Sequence, residues 1–133
     1  MKSGEFIYAR THAAFLNQAF GTNYKAWMKS SWNYTGGWTI WMVRFNRNID
    51  GWENSFISEG NDPYAVIMQD NLNGKDTFEG IPINYATTKK RIVFEIDEKE
   101  GRRKYIFRGK YVYDEAKSDA RTVQYLNKIS DEL

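Results

Sequence analysis

The sequence predicts an α+β domain in which N-terminal helices pack on a small, mainly antiparallel, curved sheet or barrel. Three observations carry this. Helical apolar spacing is confined to the first quarter of the chain, and from Trp38 onward the hydrophobic period changes to two. Aromatic residues make up 17% of the chain against only two prolines, a composition that favours pleated, half-buried surfaces. A length of 133 residues suits one domain over 1–133, helical from about 10 to 31 and β-rich from about 38 to 129.

The elements follow in order. Thr11 is a capping residue, Ala14, Phe15 and Ala19 form a helical stripe, and Gly21 stands where a C-terminal glycine ends a helix. A second short helix is expected from Asn23 to about Ser30, with Tyr24, Trp27 and Met28 on one face. Asn33 to Gly37 reads as a turn. Trp38 to Phe45 is apolar on both faces apart from Thr39 and Arg44, as a buried strand is, so Trp38 and Trp41 are expected in the core. After a polar turn, Trp52 to Ser58 and Tyr64 to Gln69 are further strands, and Asp70 to Tyr85 reads as a long loop or irregular edge.

The clearest signal is a hairpin. Arg91 to Asp97 alternates, and Lys104 to Asp114 places Tyr105, Phe107, Gly109, Tyr111 and Tyr113 on one face, with Arg108 and Lys110 on the other. Gly101 sits in the turn between them. Thr122 to Ile129 fits a strand and a helix almost equally well.

Several function classes drop out. The chain has no cysteine, which excludes disulfides and thiolate metal sites. Its one histidine, His12, excludes multi-histidine metal sites and is expected as a polar residue on the first helix. No signal-peptide pattern opens the chain, and its longest apolar stretch, Trp38 to Val43, is too short to cross a bilayer. A cytoplasmic location without membrane partners is therefore expected. No phosphate-binding glycine loop is present, and no cofactor, metal site or catalytic residue is assigned.

The formal charge of +2 is unevenly spread: Ala86 to Lys128 carries +5, Met1 to Tyr85 carries −1 and the last five residues carry −2. Such a basic half admits a polyanionic partner. Lys89, Lys90 and Arg91 enter one strand of the hairpin, and Arg102, Arg103 and Lys104 enter the other. With Arg108 and Lys110 they form a candidate track for phosphates. Trp32, Tyr34 and Trp52 stand at turns, and Trp52 is followed by Asn54 and Ser55, so stacking rings lie beside groups able to bond a base edge. Arg44 completes this set. The same aromatics serve a carbohydrate or other small ligand. A rival enzymatic pattern is Asp97-Glu98-Lys99, the tail of a Mg²⁺-dependent nuclease signature, with Asp76 or Glu79 as the upstream carboxylate.

The stretch from Trp38 onward, through Val43-Arg44-Phe45-Asn46, Gly51-Trp52-x-Asn54, Arg91 to Ile96 and Phe107-x-Gly109-x-Tyr111, resembles the PUA-like β-barrels, especially SRA-like modules of bacterial restriction and helicase-nuclease proteins. The resemblance implies a PUA-like barrel that reads nucleic acid, most simply DNA, and turns a modified base into an aromatic pocket. It also implies a nuclease or helicase domain or subunit as neighbour.

Overall fold

A computed structural model describes residues 1–49, 51–72, 89–119 and 122–133. Its elements are β1 (Phe6–Tyr8), α1 (His12–Phe20), β2 (Ser31–Asn33), β3 (Thr39–Val43), β4 (Asn48–Ile49), β5 (Trp52–Glu59), β6 (Asp62–Asn71), β7 (Lys90–Lys99), β8 (Arg102–Tyr113) and β9 (Val123–Ser130). The strands form a nine-stranded sheet in the order β2-β3-β7-β8-β9-β6-β5-β4, with β1 added to β8. Among the described residues every pairing is antiparallel except that of β3 with β7. The sheet curls strongly into a half-barrel, as expected of an α+β domain with a curved sheet. The Asn46 backbone N–H donates to the Asn54 carbonyl at 2.7 Å, tying the chain beyond β3 to β5 near the far side of the sheet.

The helix forms where the sequence places it. The Thr11 side chain accepts from the Ala14 N–H, and Gly21, at φ 69°, closes the other end by donating to the Asn17 carbonyl. The expected second helix does not form: residues 22–30 run irregularly. Asn17 competes with helical hydrogen bonding there, its amide gripping Tyr24 by both backbone groups at 2.9 Å. Trp27 donates its indole N–H to the Ser31 carbonyl, and its ring packs on Tyr24.

Strand β3 is buried on both sides, because it separates two cores. Ile40 and Met42 join Phe15, Leu16, Ile92, Phe94, Ile96, Tyr105 and Phe107 under the helix. Trp41 and Val43 point the other way, into the half-barrel, with Phe45, Ile67, Val93, Tyr111 and Leu126. Trp38 precedes the strand and is only half-buried at the edge of the helix-side core.

The β7–β8 hairpin closes through Glu100 and Gly101, both at positive φ (54° and 77°), as a two-residue turn between twisted strands requires. Further along, Phe94 pairs with Phe107 but Val93 pairs with Gly109, leaving Arg108 as an extra residue. This bulge overturns the simple alternation read from the sequence. Tyr105 and Phe107 face the helix, whereas Tyr111 faces the half-barrel. Gly109 is required here: its φ is 138°, and a Cβ would lie 2.8 Å from the Ser130 carbonyl oxygen of β9.

The ambiguous last segment is a strand, β9, and Asp70 and Asn71 belong to β6. Leu72 follows in a turn, and residues 73–85 of the expected loop, with Asp76 and Glu79, lie outside the described residues. Strands β9 and β1 share one edge of β8: β9 takes Lys110 to Tyr113 and β1 takes Lys104 to Ile106. Among the described residues no helix is long and apolar enough to cross a membrane.

Candidate nucleic-acid interface

The inner face of the half-barrel is where polar groups are buried. Asn54, Gln69 and Gln124 stand opposite one another across β5, β6 and β9, each two residues from a member of the apolar row Phe56, Ile67 and Leu126. Strand alternation therefore turns all three inward. Asn54 is 7% exposed and Gln124 4%. From the opposite wall, Arg91 on β7 is buried with its guanidinium 4.5 Å from the centre of the Trp41 ring. Burial pulls the Arg91 pKa down to about 10, which leaves it charged at neutral pH.

A cavity of about 390 Å³ opens at the seam between β3 and β5. Trp41 and Trp52 supply its aromatic wall, Asn54 and Gln69 its polar wall, and Arg44, His12 and Ser30 lie around it. Asn54 lines it, and the side-chain oxygen of that residue is buried without a hydrogen-bond partner among the described residues. An orphan of this kind costs about 1–3 kcal/mol, so a donor arriving from a ligand has much to satisfy. His12 accepts or donates at Nδ1 to the Tyr105 hydroxyl at 2.7 Å. Burial first, then the charges of Arg103 and Arg44, holds the His12 pKa below its ordinary value. Glu98 bridges Arg44 and Arg103, and these hydrogen bonds hold its carboxyl below the usual range.

The sequence-predicted site residues separate into groups. Arg44, Trp52 and Asn54 meet at the cavity. Ser55 alternates away from Asn54 and pairs with Met68. Trp32 is not at a rim: it sits in β2, its indole N–H donates to the Tyr24 hydroxyl, and its ring packs on Phe20. Tyr34 remains exposed at 37% beside the same phenylalanine.

The basic track is likewise divided. Arg91 is buried. Lys89 pairs with Glu115, Arg103 with Glu98 and Arg108 with Glu95. The remaining four cations lack a carboxylate partner among the described residues and lie over aromatic rings. Lys90 and Lys110 flank Trp38 at 5.7 and 4.2 Å, Arg102 covers Tyr8 at 4.0 Å, and Lys104 covers Phe6 at 4.7 Å. The bulge sends Arg108 toward Tyr64 and Lys110 toward Trp38, so these two do not share a face as their spacing suggested.

The nuclease-like triplet lies where β7 runs into the hairpin turn. Asp97 and Lys99 form an ion pair at 3.9 Å near the hairpin turn. Among the described residues no group of three or more histidines, aspartates or glutamates is placed to hold a metal ion.

Gln69 and Gln124 on this inner face, and His12 and Trp41 at the cavity, went unrecognised as site residues. A signal existed: each glutamine falls in phase with an apolar inward residue of its own strand, where a polar group needs a reason.

The sequence matches the family described as SRA, the SET and RING associated domain, over residues 2–133. The chain belongs to the SRA family. The fold of this SRA chain is similar to the solved structure of the 5-hydroxymethylcytosine-specific restriction enzyme AbaSI, with a TM-score of 0.71 and 23% sequence identity. The likeness covers 96% of this chain and 39% of that one, so the SRA chain spans well under half the length of that enzyme. No curated protein matches the sequence. The resemblance read from the sequence is thereby borne out, and with it the role of a DNA-binding module.

Proposed function

We propose that the seam cavity receives a base turned out of DNA, that the base is a modified cytosine, and that residues 1–133 act as one reading domain. The observation that carries this is the unpaired, buried oxygen of Asn54, a residue that lines a cavity with two tryptophans in its walls. A flat, π-bearing ligand fits between such rings, and a lone acceptor calls for a hydrogen-bond donor. The exocyclic amine of cytosine is such a donor, whereas thymine presents a carbonyl at the same position and would repel it. The name of the similar enzyme makes 5-hydroxymethylcytosine the first modification to try. In this reading the chain recognises and does not cut: cleavage belongs to a nuclease or helicase domain or subunit in a restriction setting in the cytoplasm. Trp52, Asn54 and Arg44 serve the base, and Lys90, Arg102, Lys104 and Lys110 serve the phosphates.

The test is Asn54→Leu, which fills the same space without the acceptor. Affinity for a duplex with one 5-hydroxymethylcytosine should fall about tenfold or more, the worth of one good hydrogen bond. Thermal stability should hold or rise, because a buried orphan is removed. Unchanged affinity would remove Asn54, and with it the cavity, from the reading.

A further inference from the structure

A second cavity, of about 440 Å³, lies between the hairpin turn and the start of the helix. Tyr8, Arg10 and Ala14 line it from the N-terminal segment, and Gly101, Arg102 and Arg103 from the hairpin. The Ala9 N–H donates to the Arg103 carbonyl at 3.2 Å, which fixes the two segments side by side. Arginines far apart in sequence thus converge on one hollow whose described lining contains no carboxylate. Arg102 lies over the Tyr8 ring at 4.0 Å. Arg103 donates to Glu98 at 2.8 Å and to the Tyr105 hydroxyl at 3.2 Å, and its fork keeps further N–H donors outside those bonds. Arg10, on the bend between β1 and α1, is exposed. Like Arg102, it has no carboxylate partner among the described residues.

Like charges gathered in one hollow repel each other, and a bound anion relieves this. Resting on the DNA-reading role above, we infer that the hollow is a phosphate site, which takes a backbone phosphate of the strand being read. The fork of an arginine matches phosphate oxygens two at a time, and arginines arriving from two segments can enclose a tetrahedral anion. Arg103 ties this site to the other one. Its partners Glu98 and Tyr105 bond in turn to Arg44 and His12, and both of those line the seam cavity. The two cavities therefore share one hydrogen-bonded wall, so a phosphate in one and a base in the other suit a single strand.

The probes are inorganic phosphate and two short duplexes, one with a single 5-hydroxymethylcytosine and one unmodified. Arg10→Gln should weaken both duplexes by the same factor, about tenfold, because a phosphate contact carries no base identity. The log–log salt slope should flatten by about 0.9. Arg10→Gln combined with Arg102→Gln should lose less than the product of the two single losses, since both side chains hold one group. At equal ionic strength, phosphate in place of chloride should raise the melting temperature of the wild type more than that of Arg10→Gln. In chloride the two should melt together. If phosphate protects the wild type selectively while duplex binding ignores Arg10, the site stands and its anion is a free phosphate ester. Losses that multiply as independent contacts, or a variant equal to the wild type in every measurement, would overturn the site. The base reading is judged apart: it fails if the wild type does not prefer the modified duplex, and the phosphate site survives that result. If the wild type binds neither duplex, the reading falls and the melting comparison alone decides the site.

Discussion

The two faces of the β3–β7–β8 sheet are packed to different ends. Under the helix, Phe15 stacks on Tyr105 at 4.3 Å between centroids and meets Phe94 edge-on at 4.8 Å, and both Phe15 and Leu16 are fully buried. The polar group reaching into that core, the Tyr105 hydroxyl, is satisfied by His12 and Arg103. The inner face differs. The buried polar side chains among the described residues are Thr39, Asn54, Arg91 and Gln124, and each falls in phase with an inward apolar neighbour: Trp41, Phe56, Val93 or Leu126. One face is a satisfied apolar core that fixes the fold. The other keeps polar groups, one of them unpaired, where a stability-optimised core would have none.

Substitutions on the two faces should therefore fail differently. Phe15→Ala removes a buried ring between two others and should lower the unfolding free energy by about 3–5 kcal/mol. Denaturant unfolding measures this, and the DNA affinity of the fraction still folded should not change. Trp52→Ala, at the half-exposed start of β5, should cost about 1–3 kcal/mol of binding to a duplex with a modified cytosine. Its melting temperature should move little. If Trp52→Ala unfolds the protein while binding per folded molecule persists, Trp52 belongs to the core and the contrast between the faces fails.

The phosphate contacts carry a smaller effect each. Lys90, Arg102, Lys104 and Lys110 lack carboxylate partners among the described residues, whereas Lys89, Arg103 and Arg108 are paired. Each of the first four that touches a phosphate adds about −0.9 to the log–log salt slope, so replacing any one with Gln should flatten it by about that amount. Replacing Lys89 or Arg108 should leave the slope unchanged. A slope equally sensitive to both sets would mean that the carboxylates release their partners on binding.

Local signals made much of the fold legible. Thr11 and Gly21 bounded the helix, Gly101 marked the hairpin, and two-faced apolarity marked β3. What stayed hidden depended on partners distant in sequence. The Asn23–Ser30 stretch had helical spacing, but the Asn17 side chain captures Tyr24 and the chain runs irregularly. The hairpin had clean alternation, yet the Arg108 bulge lets β9 approach Gly109 and reverses which face Tyr111 occupies. At the site, Trp52 and Asn54 were readable because a ring at a turn beside an amide is a local pattern. The burial of Arg91 stayed hidden for the opposite reason. Within a basic run it looked like a phosphate contact, and only the parallel pairing with β3 buries it against Trp41.

The smallest effect expected concerns His12, at the boundary between the two faces. Arg103 can only donate, so the Tyr105 oxygen accepts from it at 3.2 Å. The tyrosine hydrogen is then left for Nδ1 of a neutral His12, at 2.7 Å. Protonating His12 would set two donors against each other beside Arg103 and Arg44, which agrees with a pKa held below the ordinary 6.5 by burial and by those charges. The sign of the consequence follows from linkage. Above 6.5 the imidazole is neutral in both folded and unfolded chains, and its contribution to stability is complete. As the pH falls below that value the unfolded chain takes up a proton that the folded one refuses, and stability is lost toward the folded-state pKa. The hydrogen-bonded carboxylates Glu98 and Asp131 act below their ordinary 4.5 and 3.8. His12→Gln should therefore flatten the fall in melting temperature over the interval just below pH 6.5. An unaltered slope in that interval would mean that His12 titrates normally in the folded protein. The helix-side face would then end at Tyr105, short of the cavity.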